Sequence, residues 1–151
     1  MKKKLSSAIS LAAEKFEGQV DKGGDPYILH CLEVMNNVKK WNDTELEIAA
    51  VLHDIVEDTK VTITDLKGLY GFSEKVCKIV SLVTFPKKCT DHEYLSRILL
   101  ICENQDAIKI KMADLEHNSL LLRLKGITPK DLSRMEKYHK AYSILKLHLE
   151  K

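Results

Sequence analysis

Ile48-Ala49-Ala50-Val51-Leu52-His53-Asp54-Ile55-Val56-Glu57-Asp58-Thr59 runs an apolar segment straight into a set of ionisable residues. The apolar part reads as buried helix, and the remainder puts His53, Asp54, Glu57 and Asp58 into little more than one helical turn. At about 100° per residue, Glu57 lies about 40° around the helix from His53, and Asp54 and Asp58 about 100° and 140°. All of them can then face one side. Carboxylates crowded on a half-buried face repel one another and lose hydration. A bound divalent cation removes both problems. Without one, the same residues are a solvated helix end with surface acids.

Helical periodicity continues outward in both directions. Leu5, Ala8, Ile9, Ala12 and Phe16 mark a first helix that breaks in the loop from Gly18 to Gly24. Asp25 can cap a second helix with Pro26 at its first position, carrying Ile28, Leu32, Met35 and Val38 on one face. Asp43 or Thr44 opens the third, which holds the opening motif. Thr64 starts a short helix ended by Gly71, and Ser73 caps another running through Val83. A loop from Phe85 to Asp91 precedes helices at about 91–103 and 105–122, and Thr128 caps a last helix beginning at Pro129. Val61-Thr62-Ile63 is the only strand-like triplet and is too short to count. The expected fold class is all-α: a single compact helical bundle with a metal site between helices.

Length and composition limit the rest. A chain of 151 residues can bury one proper core, and no linker-like stretch or internal repeat divides it, so residues 1–151 are expected to form a single domain. A formal net charge of +2 is too small to imply a nucleic-acid or membrane partner. Met1-Lys2-Lys3-Lys4 looks like the start of a signal peptide, but an amphipathic, charged segment follows it rather than an apolar one. Cys31, Cys77, Cys89 and Cys102 are scattered without a CxxC, as free core thiols are. The expected compartment is the cytoplasm.

Two further places add to the opening cluster. Pro26-Tyr27-Ile28-Leu29-His30 puts a histidine about one turn into the second helix, and Ile108-Lys109-Ile110-Lys111-Met112-Ala113-Asp114 puts an acid on a helix of core residues. Either residue alone is more often structural. Together with His53 and Asp54 they make a two-histidine, two-aspartate set. Such ligands lack thiolate and suit an ion such as Mn²⁺ or Fe²⁺ with positions open for water. Of the other histidines, His139 and His148 read as surface residues and His117 as an outer partner of the cluster.

The order PYxxH, HDxxEDT and ADxxHN resembles the HD-domain hydrolases of the RelA/SpoT type, most of all the small stand-alone enzymes that remove the 3′-pyrophosphate from (p)ppGpp. The similarity runs from about Leu5 to beyond Tyr142. It implies metal-dependent hydrolysis of guanosine alarmones to GDP or GTP plus pyrophosphate, with no synthetase domain. It implies His30, His53, Asp54 and Asp114 as ligands of manganese, Glu57 and Asp58 as the catalytic pair, and Asn118 as a substrate contact. Lys22, Lys87, Arg134 and Tyr138 match softer substrate-binding positions. In such a site a metal polarises phosphoryl oxygens and acidifies water, while carboxylates orient that water and move its proton.

The chain also departs from the family. Asp21 stands where many members carry an arginine that stacks on guanine, and Leu115 and Leu120 occupy two cationic positions. Loss of guanidinium groups weakens stacking and bidentate phosphate recognition. The resemblance therefore leaves room for a phosphohydrolase acting on another nucleotide or an NADPH-like cofactor. A non-catalytic, nucleotide-sensing module and a plain helical interaction protein are the readings from other classes. The first would bind metal without turnover, and the second would leave the acidic cluster without a purpose. The oligomeric state is not legible.

Overall fold

The computed structural model describes residues 4–150; Met1, Lys2, Lys3 and Lys151 lie outside the described residues. These form the helices α1 (Leu5–Lys15), α2 (Tyr27–Val38), α3 (Thr44–Val51), α4 (Ile55–Asp58), α5 (Glu74–Val83), α6 (Asp91–Ile101), α7 (Gln105–Asn118) and α8 (Pro129–His148). There is no strand among the described residues; only Val20 and Pro26 share an isolated antiparallel bridge. The fold is all-α, as the periodicity predicts.

Short polar side chains start most of the helices. Asp43 accepts from the amides of Glu45 and Leu46 at 3.0 and 3.2 Å, and Ser73 accepts from that of Val76 at 3.2 Å. Thr128 and Asp131 close a reciprocal capping box over Pro129. Thr90 and Asn104 do the same work for α6 and α7, bonding the amides of Glu93 and Ala107. Each such cap contributes about 1 kcal/mol.

The core sits around α3 and α7. α3 buries Leu46, Ile48, Ala49, Ala50 and Val51, so it has no solvated stripe, and it packs against α1, α2, α5 and α7. α7 buries Ala107, Ile108, Ile110, Met112, Ala113 and Leu115 and packs against α2, α5 and α8 as well. Crossing at the centre of the molecule, these helices can bring polar side chains from distant parts of the sequence together away from water. Among the described residues no helix is long and apolar enough to cross a membrane.

The structure corrects several local expectations. α2 begins at Tyr27, with extended Pro26 as its boundary residue and no side-chain cap from Asp25. Its buried face is His30, Cys31, Val34 and Val38, whereas Ile28, Leu32 and Met35 are only partly buried. The short turn before Gly71 is started by Thr62, which exchanges bonds with Asp65, rather than by Thr64. α6 and α7 stop at Ile101 and Asn118, and the chain after α7 makes a separate turn at Leu121–Arg123. Most consequential, the opening motif does not lie on one continuous helix. The helix breaks across 52–54 and resumes as α4.

The break has a local cause. In a continuing helix the Ala50 carbonyl would accept from the Asp54 amide. Here it takes the His53 amide at 3.3 Å and the His53 ring Nδ1 at 2.7 Å instead. Asp54 then sits at φ −101°, ψ 0°, the region favoured by turn residues. His53 and Asp54 are thereby presented from a turn.

Candidate active site

Four side chains from three parts of the fold converge in the interior. His30 comes from α2, His53 and Asp54 from the break after α3, and Asp114 from α7; all are buried, and one donor atom of each lies within 4.8 Å of the others. His30 Nε2 is 3.0 Å from Asp114 Oδ1 and 3.6 Å from Asp54 Oδ2. His53 Nε2 is 2.9 Å from Asp54 Oδ2 and 3.3 Å from Asp114 Oδ1. Buried groups of this kind need either one another's charge or a cation. Burial opposes charging His53, but Asp54 and Asp114 outweigh it and hold the ring well above the usual histidine range. Burial likewise opposes ionising Asp114, but Lys111 and the two histidines hold it well below the usual carboxylate range. A dication would take the place of the histidine protons in neutralising these carboxylates.

The surroundings fix which atoms face inward. Donation from His53 Nδ1 to the Ala50 carbonyl leaves Nε2 with its lone pair toward the cluster. His30 Nδ1 lies 2.7 Å from His117 Nδ1, so one ring donates to the other, and a donating His30 also turns a lone pair inward. Burial and the nearby Arg123 charge lower the His117 pKa, which suits it to accept. Asp54 Oδ2 accepts from the Tyr27 hydroxyl at 2.5 Å, and Asp114 accepts from Lys111 and Asn118, each at 2.9 Å. A two-imidazole, two-carboxylate donor set with oriented lone pairs fits a divalent metal ion.

His117→Ala is accordingly expected to weaken metal binding about 10–100-fold while His117→Gln, whose amide oxygen can still accept, recovers most of the loss. Calorimetric titration with Mn²⁺ measures both. Equal affinities in wild type and His117→Ala would remove His117 from the arrangement.

Beside the four ligand candidates stand Glu57 and Asp58 on α4, partly buried, with donor atoms within 4.8 Å of an Asp54 oxygen. Glu57 Oε1 accepts the Phe85 amide at 2.7 Å, tying the following loop to the site. Burial and then the Asp54 charge push the Glu57 carboxyl up from 4.5 to about 7, and the same two causes raise Asp58. Raising a carboxyl in the folded state makes stability fall as pH rises between the two values, because the unfolded chain loses its proton first. For Glu57 that window is 4.5 to about 7. The cost above it is up to about 3 kcal/mol without metal. Glu57→Gln removes this cost and keeps the acceptor for Phe85. In chelator, its melting temperature should exceed that of wild type at about pH 8, with a much smaller gain at about pH 5. A gain independent of pH would mean that Glu57 titrates normally.

The cluster opens into a cleft of about 630 Å³ lined by Asp54, Glu57, Asp58 and Asp114 together with many cations. Lys22, Lys87, Asn118, Arg134 and Tyr138, all singled out from the sequence, line it. So do Lys111, Lys137 and Arg123, which the sequence reading missed. Lys111 lies over the Phe85 ring at 4.5 Å and Lys137 over the Tyr94 ring at 4.7 Å. Its position three residues before Asp114, one helical turn away, was the signal that could have flagged Lys111.

The HD domain family matches residues 8–109. The chain belongs to this family. As an HD domain it is 35% identical over 123 residues to the bifunctional (p)ppGpp synthase/hydrolase SpoT of Escherichia coli K12, an alignment covering 77% of this chain and 18% of that protein. It is 34% identical over 134 residues to GTP pyrophosphokinase rsh of Brucella melitensis, covering 84% of this chain and 18% of the relative. The HD-domain chain thus spans less than a fifth of the length of these relatives. A solved structure, that of a metazoan ortholog of SpoT described as hydrolysing ppGpp, superposes with a TM-score of 0.74 at 27% identity, covering 99% of this chain and 93% of the other.

The three departures in this HD domain lie in different surroundings. Leu115 is 1% exposed, a core residue and no part of the cleft. Leu120 is 53% exposed and lines the cleft. Asp21 is not a free carboxylate facing substrate: Arg123 Nη2 pairs with it at 2.6 Å, and the amides of Gly23 and Asp25 donate to its other oxygen. An arginine at position 21 would lose these bonds and stand against Arg123. His92, His139 and His148 are exposed and lie outside the cluster.

Proposed function

We propose that this chain removes the 3′-pyrophosphate from guanosine alarmones, converting (p)ppGpp to GDP or GTP and pyrophosphate. The observation that carries the reading is a convergent metal-ligand set and an acid pair opening into one cation-lined cleft. Likeness to SpoT and to a metazoan ortholog described as hydrolysing ppGpp supports the choice of substrate.

In this reading His30, His53, Asp54 and Asp114 hold a divalent ion; the nitrogen and oxygen donor set suits Mn²⁺ or Fe²⁺, and the family resemblance favours Mn²⁺. When bound, the ion supplies Lewis-acid polarisation of a phosphoryl oxygen and lowers the pKa of water. The chain's own groups do the rest. Glu57, with one oxygen held by the Phe85 amide, and Asp58 beside it orient the attacking water and accept its proton. Lys22, Lys87, Lys111, Arg134 and Lys137 face the phosphates and stabilise the charge that spreads over their oxygens. Asn118, bonded to Asp114, and Tyr138 complete the wall against which the substrate lies. The water oxygen bonds to the phosphorus adjacent to the ribose 3′ oxygen, the bond from that phosphorus to the 3′ oxygen breaks, the 3′ oxygen takes a proton, and pyrophosphate leaves.

We further read residues 1–151 as one catalytic unit around one core, and place it in the cytoplasm, a reading supported by four free cysteines. The test is pyrophosphate release from ppGpp, pppGpp, their adenine analogues and NADPH with Mn²⁺ present. Release from the guanosine substrates is expected. Tight metal binding with no turnover of any of them would mark a sensing module instead, and turnover of NADPH alone would overturn the substrate class.

A further inference from the structure

Two segments of the cleft wall are fastened together, and they flank the helices whose histidine rings meet. Residues 16–26 lead into α2, which carries His30, and residues 119–128 follow α7, which carries Asp114 and His117. His30 Nδ1 and His117 Nδ1 are 2.7 Å apart. Arg123 holds one segment and the end of α7 at once. Its Nη2 pairs with Asp21 Oδ2 at 2.6 Å, and its Nη1 donates to the main-chain carbonyl of His117 at 2.8 Å. Asp21 is fixed in turn: Oδ1 accepts the Gly23 and Asp25 amides at 2.9 and 3.0 Å, and its own amide donates to the Asp25 carbonyl at 2.8 Å. The segments lie so close that a Cβ on Gly23 would run into the Arg123 carbonyl oxygen. The side chains of Asp21 and Arg123 are only 8% and 20% exposed, so salt screens the pair little.

Resting on the reading of His30, His53, Asp54 and Asp114 as a metal set, we propose that Arg123, anchored by Asp21, is a positioning residue for the metal: it clamps the approach to α2 onto the end of α7 and so keeps the His117 ring against His30. Outer partners orient a ligating imidazole, and a loosened partner weakens the ligand it supports. Arg123 acts one layer further out, through the main chain of His117. Charge and clamping work in opposite senses at this residue. By charge alone, removing the Arg123 cation tightens the binding of a dication, and removing the Asp21 carboxylate loosens it. Clamping demands weaker binding in both cases, and also where the segments are pushed apart with no change of charge.

Calorimetric titration of the full chain with Mn²⁺ separates the two at about pH 8, where an ordinary histidine is neutral. Arg123→Ala, Asp21→Asn and Gly23→Ala are each expected to raise Kd about 3- to 30-fold. Arg123→Lys, whose single amine serves one partner at a time, should fall between Arg123→Ala and wild type. In a His117→Ala background, Arg123→Ala should cost less than about twofold, because the side chain it positions is gone. Unchanged or tighter binding in any of the first three variants overturns the proposal, and so does an undiminished cost in the His117→Ala background. Should Arg123→Ala not fold, Arg123→Lys and Gly23→Ala, each alone and combined with His117→Ala, decide by the same criteria. A wild type that binds no Mn²⁺ brings down the metal reading and the clamp together, whereas wild-type binding indifferent to the substitutions overturns the clamp alone. Absence of ppGpp turnover bears on neither, since binding alone is read.

Discussion

His53→Ala and Asp54→Ala should each yield a protein that retains no divalent ion after gel filtration and releases no pyrophosphate. Each variant removes a buried donor from a set in which His53 Nε2 and Asp54 Oδ2 are only 2.9 Å apart. Metal binding also stabilises the folded state, by about 2.7 kcal/mol when the free ion is at a hundred times Kd. The rise in melting temperature that Mn²⁺ gives wild type should therefore vanish in both variants. His53→Gln serves as a check on misfolding, since its amide can still donate to the Ala50 carbonyl while being a poor ligand. Elemental analysis showing wild-type metal occupancy in any of these variants would remove the assignment.

The second large effect separates chemistry from metal binding. Glu57→Gln and Asp58→Asn should keep the metal and the fold and lower kcat about 10²–10⁴-fold, the usual worth of a general acid or base. In Glu57→Gln the side-chain amide oxygen can still accept the Phe85 amide, so the loop stays attached. Single-turnover rates with ppGpp, beside metal content, test this. A rise in KM with unchanged kcat would make these acids positioning groups for the substrate.

Much of this arrangement was legible in the sequence because its causes are local. Asp43, Ser73 and Thr128 announce their helices through the hydrogen bonds a short polar side chain accepts from the next turn. Two histidines and two aspartates embedded in apolar helices pointed to one buried cluster, and the structure brings their donor atoms together. The break at 52–54 was not legible, because it depends on the His53 ring competing with the Asp54 amide for one carbonyl, and helical periodicity carries no trace of that competition. The buried face of α2 was misread because burial of His30 rotates the helix inward about its polar residue, leaving Ile28, Leu32 and Met35 half covered. The pairing of Asp21 with Arg123 spans 102 positions, beyond the reach of any local pattern, so Asp21 looked like a lost cation when its partner supplies one from elsewhere.

The two buried imidazoles are secured in different ways, and this bears on how the site can change over generations. The His53 ring is anchored to the Ala50 carbonyl, a backbone atom that every amino acid at position 50 would provide. Mutation around it cannot easily erase that anchor; the orientation is inherited with the helix itself. His30 relies on His117, a side chain that one codon change replaces. Variation at position 117 can thus retune metal affinity, or the choice of ion, in single steps while His53 keeps the site in existence. A library randomised at residue 117 alone should recover variants spread over a wide range of metal affinities. One randomised at residue 50 should divide only by whether the side chain fits the core, because Ala50 is fully buried.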